Sequence, residues 1–196
     1  MDIHPSRGYE SVADVFAQIR ENTLNRIGYS TVYEWACTFP KGAQLLDVGC
    51  GTGKPITQAL LDSGATVYAL DASASMVRKF KQHFPKVPIR QESAFTSSYF
   101  DLTYDGIVAW GVIFLFPEQD QIRLFERLSG SLKPEGLFLF TSPAQNVTWN
   151  DTLTGLESVS LGRERYLDVF SHFGYVLDRE WEDEGENHYF SMKKAG

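Results

Sequence analysis

The chain lacks the features of several large classes of protein. It has only two cysteines, Cys37 and Cys50, so neither a disulfide framework nor a cysteine-based metal site is expected. Its 25 acidic residues outnumber 18 basic ones, which gives a net charge of -7. Because nucleic-acid binding depends on Lys and Arg neutralising phosphates, this balance argues against DNA or RNA as a partner.

Long hydrophobic runs are also missing. No stretch of ~18 apolar residues occurs, and residues 1–16 contain no apolar segment typical of a signal peptide. We therefore expect no membrane partner and a cytoplasmic location. What the chain does have is 43% hydrophobic residues over 196 positions, which suits a single packed domain comprising residues 1–196.

The middle of the chain alternates between apolar, strand-like runs and amphipathic helical patterns. Strands separated by helices of this length require right-handed crossovers, which produce a parallel sheet with helices on both faces. Strands are predicted at 44–48, 66–70, 87–91, 104–110 and 137–142, and helices at 55–63, 74–84 and 119–132.

Both ends of the chain differ from this core. A helical lid is predicted over 1–40, ahead of a cofactor-binding core at 41–142. Residues 143–162 show weak periodicity and are predicted to form a loop on the acceptor side. The segment 163–196 should form a helix and an antiparallel hairpin around the acidic turn at 183–186. The expected fold class is α/β, a Rossmann-like, doubly wound, mostly parallel seven-stranded sheet that ends in this hairpin.

The sequence LLDVGCGTGKP at residues 45–55 is the most informative segment. An apolar strand leads into Gly49, Gly51 and Gly53, and a proline follows where a helix would begin. Glycines let the backbone approach a ligand closely, and a helix start offers it unpaired N–H groups. The next strand ends at Asp71, where a carboxylate can accept hydrogen bonds from both hydroxyls of a ribose. These features predict a nucleoside bound at the carboxyl ends of parallel strands.

Two residues indicate which nucleoside is bound. A dinucleotide motif Gly-x-Gly-x-x-Gly that starts at Gly49 needs glycine at position 54, where Lys54 stands. Asp47 precedes the loop, where its charge would oppose a pyrophosphate but suits a ligand with a sulfonium and an ammonium group. A nicotinamide cofactor is therefore disfavoured.

In these segments the chain resembles the class I S-adenosylmethionine-dependent methyltransferases, in particular the broad small-molecule group. The resemblance extends from about residue 41 to the C-terminus. It implies an enzyme that uses S-adenosylmethionine as cofactor, releases S-adenosylhomocysteine and methylates a small-molecule acceptor. Its most specific part is Asp47-Val48-Gly49-Cys50-Gly51-Thr52-Gly53 together with Leu70-Asp71-Ala72-Ser73 and Met76.

The resemblance also implies roles for individual residues. The glycine loop would pack against the methionine part of the cofactor, Asp71 would hold the ribose, and Ala72 and Met76 would flank the adenine. Ser93 stands where the family has an acid that contacts the adenine amino group, so its hydroxyl, Glu92 or a backbone carbonyl must replace that acid. The cofactor-binding residues expected on this basis are Asp47, Gly49, Cys50, Gly51, Gly53, Asp71, Ala72, Met76, Ser93, Ala94, Phe95 and Trp110.

The sequence indicates fewer residues for the pocket that would bind the methyl acceptor. Loops that follow parallel strands form the site in such sheets, so Trp110 and Gly111 are expected near the transferred methyl group. Tyr9 of the helical lid and Trp149 of the predicted loop are the other candidates for the acceptor pocket. The sequence leaves open which acceptor is used, which atom is methylated and what the oligomeric state is.

No catalytic residue or metal ligand is predicted. Methyl transfer from a sulfonium is an in-line displacement whose leaving group is a neutral thioether, so no acid is needed to protonate it. His188 begins the last predicted strand beside acidic residues and is expected to be structural. A nonenzymatic nucleoside-binding module and, less favoured, a nicotinamide-dependent oxidoreductase remain the alternatives.

Overall fold

The computed structural model describes residues 5–21 and 26–196. The remainder of the predicted 1–40 lid, residues 1–4 and 22–25, lies outside the described residues. The helices of the described part are α1 (Ala13–Glu21), α2 (Tyr29–Ala36), α3 (Ile56–Asp62), α4 (Ala74–His83), α5 (Glu118–Gly130) and α6 (Arg163–His172). The strands are β1 (Gln44–Val48), β2 (Thr66–Asp71), β3 (Ile89–Gln91), β4 (Tyr104–Ala109), β5 (Leu132–Thr141), β6 (Asn146–Asn150), β7 (Glu157–Leu161), β8 (Tyr175–Glu182) and β9 (His188–Lys194).

Seven of these strands form one mixed sheet in the order β3-β2-β1-β4-β5-β9-β8. Strands β1 to β5 run parallel, whereas β9 pairs antiparallel with both β5 and β8. The predicted fold class, a doubly wound sheet with a C-terminal hairpin, is confirmed. The strand order reverses between β1 and β4, and open α/β sheets bind ligands beside such a reversal.

The sheet is covered on both faces, which is why its central strands are almost entirely apolar. One face packs against α2 and α3, where Trp35 and Leu60 are fully buried. The other face packs against α5 and α6 through a group of aromatic rings. In that group Phe140 stacks on Phe190 with 5.0 Å between ring centroids, and Phe125 lies 4.5 Å from Phe170.

Residues 143–162 do not form the predicted loop. They contain β6 and β7, which pair antiparallel as a separate two-stranded sheet. The sequence pattern missed these strands because β6 is largely exposed and polar, so it lacks the apolar alternation that marks a half-buried strand. Buried hydrogen bonds link this hairpin to the core: Ser142 Oγ donates to Ser160 Oγ at 3.1 Å, and Leu161 N donates to Tyr166 Oη at 3.3 Å.

Candidate active site

A cavity of about 230 Å³ lies at the carboxyl ends of β1, β2 and β4, where the strand order reverses. Its outer side is closed by the N-terminal segment, defined here as residues 5–20. Most of the residues predicted from the sequence share its wall. They are Tyr9, Asp47, Gly49, Cys50, Gly51, Asp71, Ala72, Met76, Ser93, Ala94, Trp110 and Gly111.

The glycine loop after β1 approaches its neighbours so closely that side chains cannot be accommodated. Gly49 has φ +68°, and an added Cβ would overlap with Cγ2 of Val112. Gly53 has φ +84°, and an added Cβ would lie 2.5 Å from a ring carbon of Phe84. Positive φ costs glycine little but strains other residues. Gly49 therefore shapes the cavity wall, whereas Gly53 packs the loop against the end of α4.

Asp71, the last residue of β2, links the glycine loop to the start of α4. Its Oδ2 accepts a hydrogen bond from Gly51 N at 2.9 Å, and its Oδ1 accepts one from Ser73 N at 2.8 Å. Burial raises the pKa of this carboxyl, and the two hydrogen bonds oppose that shift. Each carboxylate oxygen retains a further lone pair for a ligand hydroxyl. The backbone therefore holds Asp71 in one orientation at the cavity wall.

Asp47 is only 1% exposed, yet it lies on the cavity wall. Its Oδ2 accepts a hydrogen bond from Thr57 Oγ1 at 2.5 Å. Burial raises the pKa of Asp47 to about 7 against the opposing effect of this hydrogen bond, and the charge of Asp71 raises it further. Within residues 5–21 and 26–196 no cation pairs with it. Because a buried carboxylate without a counter-charge is unfavourable, Asp47 is suited to a cationic ligand group.

Ala72 and Met76 border the cavity beside Glu92 and Ser93. Ser93 Oγ already accepts a hydrogen bond from Phe95 N at 3.2 Å. Glu92 Oε2, in contrast, is buried and has no hydrogen-bond partner in the described part of the chain. A buried acceptor without a donor is costly, so a ligand donor would be favourable there. Of the alternatives that the sequence left open, Glu92 has the buried acceptor atom that no described residue bonds to.

The N-terminal segment is held over the cavity by contacts that sequence reasoning missed. Glu10 accepts hydrogen bonds from Ser73 Oγ at 2.5 Å, Ser75 Oγ at 2.8 Å and Ser75 N at 3.1 Å. These bonds lower the pKa of Glu10 to about 2. Tyr9 Oη donates to Asp151 Oδ2 at 3.0 Å. No local signal could have revealed these pairs, since the partners lie 63 and 142 residues apart in the chain.

Three parts of the chain meet around Trp110, on the side of the cavity where the sequence predicts the acceptor. The guanidinium of Arg20 lies over the Trp110 ring, 4.0 Å from its centroid. Trp110 Nε1 donates a hydrogen bond to Tyr189 Oη at 2.8 Å, and Tyr189 Oη donates to Asp183 Oδ2 at 2.6 Å. The N-terminal segment, the loop after β4 and the C-terminal hairpin are therefore connected around Trp110.

Three predicted site residues lie away from this cavity wall. Gly53 packs against α4, as described above, and Phe95 packs edge-on against Phe116 with 5.0 Å between centroids. Trp149 contacts Phe114 and borders a second cavity of about 220 Å³ beside the hairpin.

His188 also borders the second cavity. Its Nδ1 lies 3.3 Å from Glu182 Oε1, and its Nε2 lies 3.8 Å from Glu180 Oε2. Its acidic neighbours therefore belong to β8 and not to the turn at 183–186. This placement is consistent with the structural role that the sequence predicts.

No group of three or more His, Cys, Asp or Glu side chains within the described residues is arranged to hold a metal ion. None of the described helices is long and apolar enough to cross a membrane.

Comparison with known proteins identifies relatives of this chain. A family model described as "Methyltransferase domain" matches residues 45–136. The trans-aconitate 2-methyltransferase of Deinococcus radiodurans is 36% identical over 136 residues, which cover 67% of this chain and 49% of that protein. The cypemycin N-terminal methyltransferase of a Streptomyces species is 35% identical over 133 residues, covering 65% of this chain and 54% of that protein. The chain spans about half the length of these curated relatives.

Solved structures show the same fold. The magnesium protoporphyrin IX methyltransferase of Synechocystis, crystallised with bound S-adenosylhomocysteine, superposes with a TM-score of 0.77 at 15% identity. The match covers 97% of this chain and 97% of that chain. At this level of identity the likeness establishes the shared architecture.

Proposed function

Because this chain belongs to the class I S-adenosylmethionine-dependent methyltransferases, we propose that it transfers the methyl group of this cofactor to a small-molecule acceptor. The observation that carries the proposal is Asp47, a buried carboxylate on the cavity wall with no cationic partner in the described residues. It lies in the same wall as Asp71 and the glycine loop. This combination suits a ligand that has both a ribose and a positive charge.

The cavity residues fit S-adenosylmethionine, which supplies an electrophilic methyl group on a positively charged sulfur. Asp47 would face the cationic part of the cofactor, and Asp71 would accept hydrogen bonds from the ribose hydroxyls. Ala72 and Met76 would flank the adenine. The free Oε2 of Glu92 would accept a hydrogen bond from the adenine amino group.

We propose that the protein catalyses an in-line displacement mainly by positioning. Holding two reactants in a reactive geometry can supply about 7 to 11 kcal/mol of the barrier, whereas a general base contributes roughly 3 to 5.5 kcal/mol. The hydrogen bonds of Glu10 and Tyr9 hold the N-terminal segment beside the cavity, where it would shield bound reactants from water. Trp110 and Gly111 border the acceptor side, where they would orient the nucleophile.

The first test is ligand binding by calorimetry. We expect the purified protein to bind S-adenosylmethionine and S-adenosylhomocysteine with roughly micromolar dissociation constants, about -8 kcal/mol, and to leave NADH unbound. The reason is that Asp47 opposes a pyrophosphate and Lys54 replaces the glycine of a dinucleotide loop. Binding of NADH, with no heat from either adenosyl ligand, would refute the proposed function. Binding without methyl transfer to any acceptor would favour the nonenzymatic alternative.

The second test uses the pKa of Asp47, which is about 7 in the ligand-free cavity. A cationic ligand favours the ionised carboxylate, so binding should release a proton between pH 6 and 7. We expect about half a proton at pH 7 and nearly one at pH 6, with affinity increasing as the pH rises. Calorimetry of S-adenosylmethionine binding in buffers of different ionisation enthalpy measures this release.

The matched variant is Asp47→Asn, which keeps the shape of the side chain but cannot ionise. It should bind S-adenosylmethionine more weakly and release no proton in this pH range. If it releases as many protons as the unmodified protein, another group is responsible. The free energy of unfolding of the unmodified, ligand-free protein should also depend on pH. Because the pKa of Asp47 is raised in the folded state, this free energy should fall as the pH rises from about 4 through about 7.

A further inference from the structure

Arg20 is a cation on the cavity wall that forms no ion pair with the side chains that the structure describes. Its Nε is buried and has no hydrogen-bond partner among them. Burial lowers the pKa of Arg20 to about 10, which leaves it charged at neutral pH. A buried charge of this kind is unfavourable until an anion pairs with it.

The acids on this side of the cavity bond to other groups. Asp183 Oδ1 accepts hydrogen bonds from Gly185 N and Asn187 N, and its Oδ2 accepts one from Tyr189 Oη. Asp151 accepts bonds from the backbone of its own turn and from the Tyr9 hydroxyl. Neither carboxylate forms an ion pair with Arg20. Because no other described side chain does so, a ligand anion would be favourable there.

The guanidinium is also held in a defined orientation. It stacks on Trp110 at 4.0 Å from the ring centroid, and Phe16 lies 6.0 Å away. Stacking occupies the face of the guanidinium but leaves its N–H donors free along the edges. Trp110 in turn donates a hydrogen bond to Tyr189, which bonds to Asp183, and Asp183 is an acid whose charge acts on Arg20. Arg20 therefore lies on the Trp110 side of the cavity, which the sequence assigns to the acceptor.

We propose that Arg20 binds a carboxylate of the methyl acceptor, so that the substrates are small organic acids. The inference rests on the proposed function, because it assigns the acceptor half of the same cavity. A planar guanidinium pairs with a carboxylate through two parallel hydrogen bonds. A carboxylate is favoured over a dianionic phosphate, because the acids of the same wall, Asp47, Asp71, Glu92 and Asp151, outnumber its bases, Arg7, Arg20 and Lys54.

The test uses benzoate and its uncharged counterpart benzamide as probes, because aromatic side chains line this side of the cavity. Their binding to the protein, both alone and with saturating S-adenosylhomocysteine, is measured by ligand-observed NMR. We expect benzoate to bind at least about tenfold more tightly than benzamide. Arg20→Gln should remove this preference, and Arg20→Lys should retain part of it because the charge remains but the planar pair of donors is lost.

Arg26→Gln is the matched control. Arg26 stacks on Tyr29 with the same 4.0 Å separation but does not line the cavity, so this variant should bind benzoate normally. Dissociation constants for S-adenosylhomocysteine report the integrity of each variant and should stay within about threefold. If Arg20→Gln weakens S-adenosylhomocysteine binding more than tenfold and leaves benzoate binding unchanged, Arg20 holds the cofactor's own carboxylate and the inference is wrong.

Two further results separate this inference from the proposed function. If the protein binds S-adenosylhomocysteine but shows no preference for benzoate, the inference fails and the methyltransferase proposal stands. If benzoate binding depends on Arg20 but neither adenosyl ligand binds, the carboxylate site is supported and the proposed function fails.

Discussion

Asp71→Ala should weaken S-adenosylhomocysteine binding by roughly 2 to 4 kcal/mol, which corresponds to a dissociation constant about 30- to 1000-fold higher. Charged hydrogen bonds to the two ribose hydroxyls contribute ~1.5 to 3 kcal/mol each, and losses at one carboxylate do not add fully. The variant also loses the bonds from Gly51 N and Ser73 N, so the glycine loop is less constrained. Calorimetric titration with S-adenosylhomocysteine measures the change.

Asp62→Ala provides the matched control for this experiment. Asp62 also accepts two hydrogen bonds, from Tyr29 Oη at 2.7 Å and Gln58 Nε2 at 2.8 Å, but it is exposed and does not line the cavity. Its removal should leave the dissociation constant unchanged. Thermal melting without ligand then separates loss of loop structure from loss of ligand contact. An unaltered affinity in Asp71→Ala would remove this residue from the cofactor site.

Gly49→Ala should destabilise the protein by roughly 2 to 5 kcal/mol and abolish measurable cofactor binding. Positive φ costs an alanine ~1 to 2 kcal/mol, and the overlap of its Cβ with Val112 adds roughly 1 to 3 kcal/mol. For a chain of this length the melting temperature should fall by roughly 4 to 20 °C. Calorimetric melting and S-adenosylhomocysteine titration measure the two effects.

A substitution at Gly42 separates the cost of positive φ from the cost of the steric overlap. Gly42 also has positive φ, +82°, but no atom would lie within 4 Å of an added Cβ. Gly42→Ala should therefore show only the backbone cost of ~1 to 2 kcal/mol and bind cofactor normally. The double variant Gly49→Ala with Val112→Ala relieves the overlap and should be at least about 1 kcal/mol more stable than the sum of the single effects. Strict additivity would show that Val112 is not the obstacle.

Local patterns made most of the sheet predictable. The segments that form β1 and β2 are mainly apolar, because both faces of a parallel sheet are covered. Such segments can be recognised in the sequence. The glycine loop could be read in the same way, since positive φ at Gly49 restricts the residue type directly. Strand β6 was missed because an exposed strand carries polar residues that are common in loops, and β7 was missed because serines occupy two of its buried positions.

The sequence by itself determined the fold class and predicted that the glycine loop, Asp47 and Asp71 line one cavity, because these features depend on local patterns in the chain. Only the tertiary structure decided how the cavity is closed. Glu10 finds its serine partners and Tyr9 its carboxylate only once distant segments pack together. Whether Arg20 pairs with an acid also depends on packing, because the sequence does not show which acids lie beside an arginine in the folded chain. Among the described side chains it forms no ion pair.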